Sequence, residues 1–135
     1  MRVTVMTKPP ATPAMARGLG ALARRAVRRA HAKSLEIALM GDRGIRALNR
    51  KFHHADRPTD VLAFDLGDTL NVAVSVDRAR VQARALGHSL RREVGHLVVH
   101  GLLHLSGWRD DSPSQLARMN AQTERVLTAA GWIRS

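Results

Sequence analysis

Apolar residues recur with a period of two in some segments of this chain and with a helical period in those between, and this alternation dictates an α/β fold. Val3 and Val5 alternate as a first strand, which the KPPATP stretch stops. Over residues 15–31, Leu19, Leu22, Ala23, Ala26 and Ala30 recur at helical spacing, with Arg17, Arg24, Arg25 and Arg28 on the opposite face. Leu35, Ile37 and Leu39 form a second strand, Gly41 breaks it, and Asp42 can cap a helix carrying Ile45, Leu48 and Phe52. After a turn over 53–58, TDVLAFDL and LNVAVSV read as two strands that pair around Gly67. Three helices are expected to follow: residues 78–86 closed by Gly87, a long helix from a Ser89 cap to Ser106 stopped by Gly107, and residues 114–130. The last should turn Leu116, Met119, Thr123, Val126 and Leu127 inward. The expected architecture is one α/β domain over residues 1–135, with a small mixed β-sheet and about five helices.

A chain of 135 residues can bury a core without staples. No segment approaches the roughly 18 unbroken apolar residues of a spanning helix, so no membrane partner is expected. Cysteine is absent, which leaves histidine and carboxylate as the available metal ligands. The net charge is +11, and it is unevenly placed: residues 1–35 carry eight basic side chains and no acid, while the remainder carries 14 against 11. Such asymmetry favours a polyanionic partner, nucleic acid, over a merely solvated basic face. No apolar stretch of the signal-peptide kind follows Arg2, and a cytoplasmic location is expected.

His100 and His104 lie four residues apart in the long expected helix, so both imidazoles project from one face at a separation that one metal ion can bridge. They run beside the stripe of Leu90, Val94, Leu97, Val98, Gly101 and Leu105, at the border of the core. Beyond them, a left-handed Gly107 lets the chain fold back, so that Asp110 or Asp111 can supply an oxygen ligand. A bare HxxxH is more often an ordinary pair of helix histidines. Four of the seven histidines cluster between His88 and His104, however, and a helix-stopping glycine precedes two carboxylates, which together favour a metal site. His96 extends the row by one turn, but steps of four drift about 40° around a straight helix, which makes it a neighbour rather than a ligand.

These residues carry a resemblance. HLVVHGLLHLSGWRDD, residues 96–111, resembles the HGxLHLxGYDH signature of the bacterial YbeY endoribonucleases, rRNA maturation factors in which three histidines bind zinc. LNRKFHHADRPTDVLAF is similar to that family's LNxxYRxKDxPTDVLSF, and VSVDRARVQARALGHS to its VISVDRAxxQAxxxGHS. The likeness covers roughly residues 45–111. It implies a zinc-hydrolase-like fold, one Zn2+ per chain held by His100, His104 and Asp110, and metal-dependent cleavage of single-stranded RNA in rRNA maturation and ribosome quality control. Ribosomal RNA or the small ribosomal subunit would be the partner. Asp110 occupies the third histidine's position and Arg109 the usual aspartate's; only Asp110, not Asp111, has the ligand's register. His53 stands at an arginine normally taken to contact phosphate, and Leu70 and Asn71 replace a Gly-Asp or Gly-Glu pair.

A zinc with three protein ligands and an open position lowers the pKa of its water toward about 7 and polarises a phosphoryl or carbonyl oxygen, so hydrolysis follows. Gly101 occupies the position where HExxH proteases carry a glutamate base, which argues against peptide hydrolysis. With four aromatic residues and no tyrosine, a base-stacking platform of the RRM kind is not expected. Asp60 is a candidate to orient a ligand histidine, and Arg109 and His53 are candidates for phosphate contact. A different-class alternative is a non-catalytic RNA- or ribosome-binding factor with a structural metal.

Overall fold

A computed structural model describes residues 1–27, 32–53 and 59–134, the side chain of His53 excepted. Strand β1 (Arg2–Thr7) is followed by a 3-10 turn (Pro13–Ala16) and helix α1 (Leu19–Ala26), then by β2 (Ser34–Met40) and α2 (Asp42–His53). A strand pair, β3 (Val61–Asp65) and β4 (Thr69–Ser75), leads into α3 (Val76–Leu86), α4 (Leu90–Leu105) and α5 (Pro113–Ala129). The four strands form one sheet in the order β1-β2-β4-β3, parallel except for β3, which runs antiparallel to β4 at the edge. Among the described residues, the mixed sheet and five α-helices are those expected from the alternating periodicities.

Side-chain alternation along the strands builds two layers. Leu35, Ile37 and Leu39 of β2, with Leu70, Val72 and Val74 of β4, are buried together with residues of α1, α4 and α5. Met40, Leu62 and Ala73 form a second cluster with Ile45 of α2. Phe52 stacks on Phe64 at 4.6 Å between ring centres and extends the packing of α2 on β3. Helix α4 is the central element, meeting α1, α3, α5, β3 and β4. Gly101 permits its seat on the sheet: a Cβ there would come within 3.1 Å of Val72 and 3.2 Å of Val61, tighter than ordinary contact. The methyl-free position therefore lets α4, which carries His100 and His104, sit closely against β3 and β4.

Two expectations are corrected. The helix expected over residues 15–31 is interrupted: Gly18 adopts φ +80°, α1 begins at Leu19, and Val27 is extended. A left-handed residue cannot continue a right-handed helix, so the periodic pattern is split between the 3-10 turn and α1; Ala30 lies outside the described residues. Leu116 is 40% exposed rather than inward, because it lies in the first turn of α5 before the buried row of Met119, Thr123 and Leu127 begins. Among the described residues, no helix is long and apolar enough to cross a membrane.

Candidate metal centre

Helix α4 starts where the Ser89 hydroxyl accepts from the Arg92 amide. It ends in a Schellman turn: Gly107, at φ +101°, donates its amide to the His104 carbonyl, and Trp108 donates to that of Leu103. This turn reverses the chain beside the helix end. It also aims the Trp108 carbonyl at His104 Nδ1, 3.2 Å away, and returns Asp110 to the imidazoles. The expected roles of the HxxxH spacing and the glycine stop meet here.

Asp110 Oδ2 lies 3.1 Å from His104 Nε2 and 3.4 Å from His100 Nε2. Ligand atoms of the three residues all lie within 4.8 Å of one another, and they form the one three-residue His/Cys/Asp/Glu group of this kind found among the described residues. Two of the separations, 3.1 and 3.4 Å, are close to the roughly 3.4 Å by which a tetrahedral ion with bonds of 2.0–2.1 Å spaces its ligands. The hydrogen-bonding pattern makes the same point. A carbonyl only accepts, so a neutral His104 carries its proton on Nδ1 and turns an Nε2 lone pair toward a carboxylate. In that form Nε2 is free to ligate beside the carboxylate oxygen, and the group can hold a metal ion.

Burial, with the neighbouring His104 and His96 rings, holds the His100 imidazole below its ordinary value of 6.5, against an opposing pull from Asp110. Burial likewise lowers His96, whose ring stacks on His100 with centres 6.0 Å apart. Neutral rings are the ligand-competent form. When the pH falls through 6.5, the unfolded chain takes up protons on these rings before the folded chain does, so stability of the metal-free protein should be held above about pH 6.5 and lost below it. Denaturant midpoints measured across this range check the sign, and a His96→Gln variant should show a shallower loss.

Other sequence candidates fall elsewhere. Asp111 is tied to Arg109 by an ion pair, and its amide donates to Gln115 Oε1. Asp60 does not orient a ligand ring; its carboxylate accepts from the Val61 amide and from Gln82 Nε2. Among the described residues, the buried His100 Nδ1 has no hydrogen-bond partner, its ring set instead between those of His96 and His104. His53 ends α2, and its side chain lies outside the described residues. Sequence reasoning missed the Trp108 carbonyl, which no side-chain motif announces. It also missed the buried Glu93, whose carboxylate sits 2.7 Å from His88 Nε2. Beside the centre lies a cavity of about 330 Å3 lined by His104, Gly107, Trp108, Arg109, Asp110 and Asp111.

The family described as Endoribonuclease YbeY matches residues 11–131. The chain belongs to the YbeY endoribonuclease family. It is 41% identical to the Endoribonuclease YbeY of a Synechocystis species, with 74% of this chain and 66% of that relative covered. It is also 41% identical to that of a Synechococcus species, covering 70% and 68%, and 38% identical to that of Symbiobacterium thermophilum, covering 73% and 72%. The chain thus spans about two thirds of the length of these YbeY relatives. In fold, it is similar to the solution structure of TM1509 from Thermotoga maritima, with a TM-score of 0.61, 21% identity, and coverage of 94% of this chain and 90% of that one. The YbeY match includes His100, His104 and Asp110.

Proposed function

We propose that residues 1–135 form a single metal-dependent endoribonuclease domain that cleaves single-stranded RNA in rRNA maturation and ribosome quality control, in the cytoplasm, with zinc held by His100, His104 and Asp110. The observation that carries this reading is the meeting of two imidazole nitrogens and one carboxylate oxygen at the end of α4, in a protein of the YbeY family. A zinc ion held there would supply a Lewis acid that acidifies water and polarises a phosphoryl oxygen.

The chain's own residues do the rest. Trp108 fixes the protonated side of His104 through its carbonyl, leaving Nε2 as the donor atom. Arg109 stands at the cavity rim, bridged to Asp111, where a phosphate can exchange for that carboxylate. Asp60 acts at a distance, bonding Gln82 of α3 and the first amide of β3, whose Val61 supports Gly101. His96 packs His100 from the preceding turn. His53 is assigned to RNA contact by its place in the sequence motif alone. The excess of positive charge draws the polyanion in.

Metal content and cleavage together test the proposal. The purified protein should carry about one zinc per chain, cut an unstructured RNA, stop after chelation and resume on zinc addition. A protein that binds RNA but never cuts it with any divalent metal is a binding factor, and the proposal is then abandoned.

A further inference from the structure

One face of α5 carries a row that the metal centre does not use. Gln115, Arg118, Gln122, Arg125 and Ala129 succeed one another at steps of three and four, so they share a stripe about 21 Å long. At its N-terminal end, Gln115 and Arg118 join Ser106, Trp108 and Arg109 around a cavity of about 350 Å3. That cavity shares Gly107, Trp108 and Arg109 with the one beside His104 and Asp110. At the other end, Gln122, Arg125 and Ala129 face Arg24 and Arg25 of α1 across a groove of about 410 Å3. Both arginines of α1 come from the acid-free first 35 residues.

The charges along this stripe are positioned without being neutralised. Arg125 Nε donates to Gln122 Oε1 at 2.9 Å, and Arg24 donates to the Met1 carbonyl at 3.0 Å; both acceptors are uncharged. Among the described residues, no carboxylate pairs with Arg24, Arg25, Arg118 or Arg125. The single acid of α5, Glu124, lies off the stripe and pairs with Arg92 at 3.1 Å. Arginines oriented by neutral oxygens keep their full charge for an incoming anion. Val126 and Ala129 also line the groove and are small, which leaves room for an extended strand beside the helix.

We infer that this stripe and the facing arginines of α1 form a phosphate-backbone track, along which a single RNA strand leaves the metal cavity. The inference rests on the endoribonuclease reading for its ligand, and on the arginine geometry for its location. The track holds the strand beyond the reacting nucleotide by charge, without reading its bases.

The test uses the whole chain and an unstructured RNA of about 20 nucleotides, with binding followed by anisotropy in chelator across a salt series. The triple variant Arg24→Gln, Arg25→Gln, Arg125→Gln should bind about tenfold more weakly, with a salt slope smaller by about 0.7 for each phosphate that is no longer neutralised. Arg118→Gln should weaken binding in the same direction. An equal charge removal on α2 and α3, through Arg43→Gln, Arg80→Gln and Arg84→Gln, should have much less effect, and Arg125→Lys should stay near wild type. Since these side chains are exposed, thermal melts should match wild type; if the triple variant is unfolded, the single Arg125→Gln variant carries the comparison. Equal weakening by the control triple, or unchanged binding by the track variants, overturns the inference even if the protein cuts RNA. If the protein never cuts RNA but the track variants selectively lose binding, the nuclease reading fails and the track stands.

Discussion

Asp110→Ala is expected to remove the bound metal and to lower RNA cleavage by about 100-fold or more, while Asp111→Ala leaves both near wild type. The two aspartates are adjacent in sequence but differ in what they touch. Asp110 Oδ2 approaches both imidazoles within 3.4 Å, whereas Asp111 is engaged by Arg109 and Gln115. The scale follows from metal binding: about 10–16 kcal/mol for a four-ligand structural zinc is roughly 2.5–4 kcal/mol per ligand, and each 1.4 kcal/mol is tenfold in affinity. His104→Ala should behave like Asp110→Ala, and RNA affinity should largely survive in both because the basic surface is untouched. Elemental analysis with cleavage assays on the three variants decides the matter; metal loss in Asp111→Ala but not in Asp110→Ala would exchange the two roles.

Gly95→Ala should destabilise the protein by about 1–3 kcal/mol, although glycine-to-alanine inside a helix ordinarily stabilises by about 1 kcal/mol. The reason is the indole of Trp132, which covers this position of α4. A Cβ would collide with its Nε1 and come within 2.7 Å of Cδ1 and Cε2. The ring cannot simply move aside. Its Nε1 donates to the Arg91 carbonyl at 2.9 Å, the Arg91 guanidinium lies 3.7 Å over the ring, and its amide is held by Leu127 beyond a left-handed Gly131. Relieving the collision therefore gives up a hydrogen bond and a stacked cation together. Chemical denaturation, with tryptophan fluorescence to report displacement of the ring, measures both consequences. A variant at least as stable as wild type would show that Trp132 contributes nothing at this site.

The two expected effects divide between what local sequence reveals and what it conceals. The imidazole pair was legible because residues four apart on a helix share a face, and the turn after it because Gly107 follows the last apolar position. The collision at Gly95 was not legible: Trp132 is 37 positions away, and no motif links the two. Asp60 shows the same limit from the other side, since its place in PTDV suggested an imidazole partner, but the packing of α3 supplied Gln82 instead. The sequence reading of α5 covered only its inward face; the relation of its outer stripe to Arg24 and Arg25 depends on how α1 is laid beside α5.

Periodicity, caps and helix stops act within a turn or two of the chain, so they suffice for the order of strands and helices, the paired histidines and the reversal that follows them. Periodicity leaves both Asp110 and Asp111 in reach of those histidines and only the motif's register favours Asp110, while which carbonyl holds His104 and how closely Gly101 seats α4 on the sheet are settled only when the chain is folded. Those outcomes depend on the close packing of segments distant in sequence, where a single methyl group changes the separation and only the assembled core sets the distances.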